Sequence, residues 1–547
     1  MIFKHQLTIT NMAVSEDRKY TKQYVINLLE NVKGKTLGDV DSSHQLSRTI
    51  NSPKITGIAG DIIEQSVFGY EKDNKQDCDI EVDGILTELK TTGVRVPKRE
   101  LAKASGKTGV EYNIHLGAKE GVTITNVTLD PSHQNDFLTS HFWEKTQHIL
   151  FVFYEYLSYI SVPASQYANF PIVDYCFNEF SEGDIRKLKS DWDLVQNFLK
   201  SIYDRYTNQD DRYAHMVGFT HALRPQLLYT ELVPSFKYSK VNDETKLQKP
   251  RYRLKKTFVD YLVRTHFNKQ KTIFENSLKE SFDSYSELDK RCHQLTEKYK
   301  GTTLEQFHNI YHVKGDITNK NYAEKCILFM FESSAKKLNS IADFEKAGII
   351  AKTITVTKDW KRTEDMKLDH IDFEEWNSKN TDFEESDVYK YFCEHSFLCP
   401  IFCERGNTSR KKVSNELKIQ EDERISNEIG KTTFEGFKRF SFDNSFIYEE
   451  VKRTWEDSRN LVFTNQLIWE YNIDKENGEM RKNKSGSFKG APNFPKSSQY
   501  IIFFRGGKSD SSEKNRTEEI NGIKMLPQYF WIKGAFVAEK LKEISYL

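Results

Sequence analysis

The sequence predicts a mixed α/β protein made of two similar modules in tandem, each a mixed central sheet flanked by helices. Three observations carry that expectation. At 547 residues the chain exceeds what one hydrophobic core supports, so at least two domains are expected, each large enough to fold unaided. Helical stripes and short apolar runs follow one another in a helix, strand, strand order that suits a mixed sheet. The second half repeats short segments of the first in the same order. The expected divisions are a first module over 1–266, a connecting helix over 267–300 and a second module over 301–547.

The first helix is expected from Tyr20 to Val32, with Tyr24, Val25, Leu28, Leu29 and Val32 on one face and Gly34 ending it. A second is expected from Gly57 to Phe68, with Ile62, Ile63, Val67 and Phe68 inward, Asp61 and Glu64 along an edge, and Gly69 as its stop. A strand over Ile85 to Val94 follows, then a loop rich in Gly, Lys and Thr. Helical Ser-His-Phe-Trp-Glu-Lys-Thr-Gln precedes the most apolar run, Ile149 to Tyr154, which is too short to span a bilayer and reads as a buried central strand. Between Ile273 and Leu295 the apolar residues Ile273, Leu278, Phe282, Tyr285, Leu288, Cys292 and Leu295 recur at helical spacing, predicting a helix that packs on both sides of a domain boundary.

The 80 basic and 80 acidic residues cancel, so any nucleic-acid surface must be local. Seven cysteines without regular spacing fit a reducing compartment, and Cys399 and Cys403 beside His395 read as buried thiols of a strand, since no second ligand pair follows at finger-like spacing. The N-terminus turns polar too early for a secretory signal, so a soluble cytoplasmic protein with no membrane partner is expected.

The internal matches place Lys35-Thr36-Leu37 opposite Thr302-Thr303-Leu304, and Gly60 to Phe68 opposite Ala323 to Phe331. Ile85 to Val94 falls opposite Ala347 to Val356, Ser140 to Phe153 opposite Ser386 to Phe402, and Arg251 to Val259 opposite Tyr529 to Val537. In this alignment Glu64 faces Ile327 and Glu88 faces Ile350, while Lys90 keeps a lysine, Lys352. The loss of both acids predicts one working site and one catalytically degenerate copy.

The working site is centred on Asp79 to Lys90. Residues i and i+2 of a strand share a face, so Glu88 and Lys90 project together while Leu89 packs behind. Carboxylates of Asp79 and Glu88, with Glu64 from the helix edge, offer the hard oxygen ligands that Mg²⁺ prefers, and that arrangement fits metal-assisted phosphodiester hydrolysis. Lys90 is placed to orient or deprotonate the attacking water, and Lys145 supplies a second positive group. Asp83 competes with Asp79 as first ligand, but Val82-Asp83-Gly84 has the form of a hairpin turn, so Asp79 is preferred. In a chain this charged, each of these residues also has a plain reading as a solvated surface group.

Glu64, Asp79, Glu88-Leu89-Lys90-Thr91 and Lys145 resemble the pattern of the MutH group of PD-(D/E)xK endonucleases, and the double length resembles its Sau-three-A-I type restriction endonucleases. Two departures are the wider spacing of Asp79 from Glu88 and the presence of Cys78 where proline is common. The resemblance implies a restriction-endonuclease-like fold in both modules and a type II restriction endonuclease that makes Mg²⁺-dependent double-strand breaks at GATC, leaving 5′-phosphates. Its second module would bind a further copy of the site as an allosteric effector. Implied partners are double-stranded DNA, a second chain met on DNA, and a cognate DNA methyltransferase as functional counterpart. The base-reading arm of the family matches Arg224, Gln226, Arg253, Lys255 and Lys256 in the first module, and Arg505, Lys508, Trp531 and Lys533 in the second. The alternatives are a modification-dependent endonuclease and a non-catalytic DNA-binding or mismatch-repair scaffold.

Overall fold

The computed structural model describes residues 18–547 apart from 56, 72–76, 98–115, 134–135, 217, 240–246, 269–277, 362–363, 380, 412–413, 475, 485 and 509. The Gly/Lys/Thr-rich loop and Ile273 therefore lie outside the described residues.

The first helix, Lys22–Val32, begins at Thr21, whose hydroxyl accepts a hydrogen bond from the Tyr24 N–H. Beyond it Gly34 takes φ +82°, a conformation open to glycine, and its N–H reaches the Ile172 carbonyl. Thr36 then starts a short helix, Leu37–Val40, with a capping box closed by Asp39. The same sequence of devices follows the helix Tyr285–Tyr299: Gly301 at φ +81° donates to Phe434, and Thr303 caps Leu304–Asn309 with a box closed by Gln306.

Each half has a mixed sheet with one pairing order in common. In the first, Ile85–Arg95 runs parallel to the buried strand Ile149–Glu155, and Ile172–Asn178 pairs with the other edge of that strand antiparallel. Ile80–Val82 and Lys19–Tyr20 extend the sheet beyond Ile85–Arg95, whose far end also pairs with Gly117–Ala118. In the second half Ile349–Ala351 and Ile354–Thr357 run parallel to Ser396–Glu404 in one continuous register, and Thr433–Phe440 pairs with that strand antiparallel. Each half also carries a three-stranded antiparallel sheet. Val122–Asn126, Leu247–Leu254 and Thr230–Ser239 form one, and Met366–His370, Gln528–Ile532 and Ile502–Gly506 form the other. Helices Lys256–Asn268 and Gly534–Glu543 follow the central strand of each.

Burial departs from the expectation of two independent cores. One apolar cluster is confined to the first half, from Tyr20 to Ile172, and one to the second, from Ile354 to Leu541. A third runs from Val94 through Leu288 to Phe437 and draws on both. The helix expected from Ile273 begins only at Tyr285, because Ser284 caps it, and Leu278 and Phe282 enter the shared core from the non-helical segment before it. Its Asp289 accepts two hydrogen bonds of 2.7 Å from Arg439, which fixes the helix on the second sheet. Cys399 and Cys403 are buried in the strand Ser396–Glu404. Among the described residues no helix is long and apolar enough to cross a membrane.

Candidate active site

Strand alternation places the centre of the site. Leu89 packs into the first-half core, and Glu88 and Lys90 project together from the opposite face. Glu88 is 2% exposed. A carboxylate that far from water needs partners, and it has two: Lys90 Nζ donates to Oε1 at 2.6 Å and Lys145 Nζ to Oε2 at 2.7 Å. Lys145 is the residue after the short helix His141–Glu144, which is capped by Ser140 and ends before the strand Ile149–Glu155. The end of that helix aims its ammonium back across the sheet, where it also donates to the Asp77 carbonyl.

Asp79 lies just before the strand Ile80–Val82, and its Oδ2 accepts the Leu89 N–H at 2.9 Å. That bond anchors the carboxylate at the edge of the Glu88 face. Burial, then the charge of Glu88, pushes its pKa up to about 6, against the opposing pull of Lys90 and Lys145. Burial pushes the Lys90 ammonium down, but Glu88 and Asp79, with Glu64 beyond them, outweigh it and its pKa is raised. Asp83 is placed elsewhere: it forms the turn between strands at φ +49°, and its Oδ1 accepts the Lys22 N–H at 3.2 Å, capping the first helix.

Glu64 comes from a π-helical turn, Ile63–Val67, that follows the α-helical Ile58–Ile62 where one continuous helix was expected. The wider turn carries the Phe68 N–H to the Ile63 carbonyl. A Cβ on Gly60 would lie 3.8 Å from Glu64 Oε1 and 3.5 Å from Thr91 Oγ1, so the carboxylate lies near the strand residue that follows Lys90. Its charge acts on both Lys90 and Tyr70.

Asp79, Glu88, Lys90 and Lys145 thus converge, with Glu64 at the margin. Among the described residues no three His, Cys, Asp or Glu side chains form a ready cage for a metal ion. The donor chemistry nevertheless fits a hard divalent cation, which takes one or two carboxylates and completes its shell with water and substrate oxygens. Asp79 and Glu88 are close enough for one to hold up the pKa of the other, and a cation between them relieves that repulsion.

The expected DNA contacts divide. Arg224 and Gln226 lie in a short 3₁₀ turn, and Gln226 is exposed. Arg253 is bound to Glu231 at 2.7 Å. Lys256 begins the helix that follows. Lys255 was expected to meet a phosphate, but it is 3% exposed and donates to the Leu227 carbonyl, because the strand end turns it into the core; here it is a structural lysine. In the second half Arg505 pairs with Asp365 at 2.7 Å and lies over the Trp531 ring, Lys508 is exposed, and Lys533 stands at the start of the last helix.

One residue carries no signal in the sequence. Asn339 Oδ1 accepts the Ala351 N–H at 2.7 Å, the bond that Asp79 makes to Leu89. Asn339 precedes its partner by 12 residues and Asp79 by 10, so an ungapped match of the two segments cannot pair them.

Residues 68–191 match the family described as the DNA mismatch repair enzyme MutH, a span that includes Asp79, Glu88, Lys90 and Lys145 and begins just after Glu64. The chain is also 23% identical over 457 residues to the type II restriction enzyme Sau3AI of Staphylococcus aureus, an alignment covering 80% of this chain and 79% of that enzyme.

Proposed function

We propose that this chain, a Sau3AI-like endonuclease of the MutH type and hence a site-specific deoxyribonuclease, is a type II restriction enzyme that cuts both strands of DNA at GATC with Mg²⁺ and leaves 5′-phosphates. The observation that carries the reading is the buried Glu88 carboxylate clamped between Lys90 and Lys145, with Asp79 beside it. Asp79 and Glu88 would hold the ion, with Glu64 at its outer edge. When bound, Mg²⁺ supplies Lewis-acid stabilisation of the charge that builds on the phosphate.

The chain's own groups do the rest. Lys145 holds Glu88 in one orientation, so the carboxylate enters the reaction already positioned. Lys90, held as an ammonium by Glu88 and Asp79, would orient the attacking water and offset charge on the phosphate. The Leu89 N–H fixes the Asp79 carboxylate and keeps it from swinging toward either lysine.

The second half is read as a degenerate copy of the first that binds DNA without cutting it and acts as effector. Its support is the shared order of strand pairings, the matched capping devices, and Ile327, Asn339 and Ile350 standing where the first half has Glu64, Asp79 and Glu88. A single cutting site per chain then requires two chains or two successive nicks for a double-strand break. A plasmid digest with Mg²⁺ followed by end sequencing tests the whole reading. Breaks at GATC with 5′-phosphates support it, and absence of cutting by the wild-type chain overturns it.

A further inference from the structure

The second half's counterpart of the cleavage site has changed sign. Around Ala351 the strand places Ile350 on one side and Lys352 on the other, as Glu88 and Lys90 flank Leu89, and Asn339 supplies the neutral form of the Asp79 contact. Lys352 Nζ, from just beyond the strand Ile349–Ala351, donates to the backbone carbonyl of Lys367 at 3.0 Å, which brings Lys352 against the edge of the three-stranded sheet. Lys367 lies half-buried over the Tyr529 ring, with Nζ 3.2 Å from its centroid. Burial, then the ammoniums of Lys352 and Lys508 among the described residues, hold its pKa below the ordinary lysine value. Lys90 in the first half is acted on by three carboxylates instead: Glu88, Asp79 and Glu64.

Like charges brought together at a partly buried surface need an anion to balance them. The adjoining sheet face selects which. It carries Trp531 and Arg505, the latter paired with Asp365, beside Lys367, and Gly507, packed against the same Tyr529 ring, leads into exposed Lys508. Such a surface follows a nucleic-acid backbone. We infer that Lys352, Lys367 and Lys508 hold a backbone phosphate of double-stranded DNA directly, beside the strand that aligns with Glu88-Leu89-Lys90 of the first half. The inference rests on the reading of the second half as a DNA-binding copy, and adds that its grip on DNA needs no metal.

The test uses the full chain in EDTA, which prevents cleavage, and a short fluorescein-labelled duplex with one GATC, titrated over a range of salt. Wild-type protein is expected to bind two duplexes per chain. Lys367→Met with Lys508→Met is expected to leave one, and to reduce the slope of log K against log salt by about 0.9 for each phosphate no longer neutralised. Arginine at the same two positions is expected to restore the second duplex, which separates the removal of a phosphate-binding charge from a misfolded sheet. Unchanged stoichiometry and slope in the methionine variant overturn the inference. So does a second duplex that binds only when a divalent ion, such as Ca²⁺, replaces EDTA. If the wild-type chain cuts GATC with Mg²⁺ and the variants bind normally, the inference alone fails; if the wild-type chain neither cuts nor binds, the proposed function fails with it.

Discussion

Asp79 and Asn339 make one hydrogen bond in two places: each accepts the backbone N–H of a strand residue, Leu89 at 2.9 Å and Ala351 at 2.7 Å. The carboxylate and the amide are nearly isosteric, so the same backbone geometry is held with a charge in one half and without it in the other.

That relationship makes Asp79→Asn an informative substitution. An amide oxygen accepts from Leu89 as Asn339 does from Ala351, so the variant is expected to fold, while the loss of a metal ligand abolishes cutting. Its stability follows from linkage. The Asp79 pKa is raised to about 6, so the protonated form contributes stability that is fully present below the ordinary carboxylate value of 3.8 and is lost as pH rises through 6. In EDTA the wild-type chain is therefore expected to lose stability relative to Asp79→Asn between pH 4 and 7, measured by urea denaturation. A constant difference across that range would remove the basis for the shifted group.

The same shift governs the metal. Asp79 must lose its proton to act as a ligand, so Mg²⁺ binding is expected to release a proton near pH 6 and to weaken below it. Calorimetry in two buffers of different ionisation enthalpy reads the proton count directly, and cleavage at subsaturating Mg²⁺ is expected to fall as pH drops from 7 to 5.

Glu88, Lys90 and Lys145 should separate by role. Glu88→Ala is expected to abolish cutting while DNA binding survives. Lys90→Met should lower the single-turnover rate by about 10²- to 10³-fold, the range for removing one positioned charge-stabilising donor. Lys145→Met leaves Glu88 with Lys90 as its remaining ionic partner. It is expected to cost up to about 3 kcal/mol of stability, less than full loss of a buried pair, and about 10- to 100-fold in activity, as when a group that orients a metal ligand is removed. Equal effects of Lys90→Met and Lys145→Met on the rate, with no stability difference, would contradict this division.

Glu394 ties the halves together electrostatically. It is buried, and burial, then Glu231 of the first half, raises its pKa against the pull of Arg253 and Lys256. The protonated form contributes stability below the ordinary carboxylate range, and that contribution is lost as pH rises toward neutrality. Glu394→Gln is expected to flatten the pH dependence of stability between pH 5 and 8. The check is hydrogen exchange of the helix Asp387–Glu394, corrected for the intrinsic rate at each pH: its protection should fall as pH rises in the wild type and stay level in the variant.

Much of this was legible in local pattern. The period of two along Ile85–Arg95 put Glu88 and Lys90 on one face with Leu89 behind, and the match of Lys35-Thr36-Leu37 to Thr302-Thr303-Leu304 falls on two capped helix starts. Asp83-Gly84 read as a turn and is one. Other features had no local signal. Nothing in the stretch from Leu278 to Phe282 says that its apolar residues enter a shared core without being helical, and nothing around Lys255 distinguishes a buried lysine from an exposed one.

The sequence by itself determined the elements and the chemistry available: which strand carries an acid and a lysine together, and which short segments recur in the same order. Those properties depend on spacing of a few residues and on side-chain type. Only the tertiary structure decided the partners. Lys145 reaches Glu88 across 57 residues and Asn339 reaches Ala351 across 12, and such pairings are set by how strands register and where a helix end points. It also decided that Lys352 and Lys508, far from Lys367 in the chain, both act on it, because the sheets that bury the core bring them together.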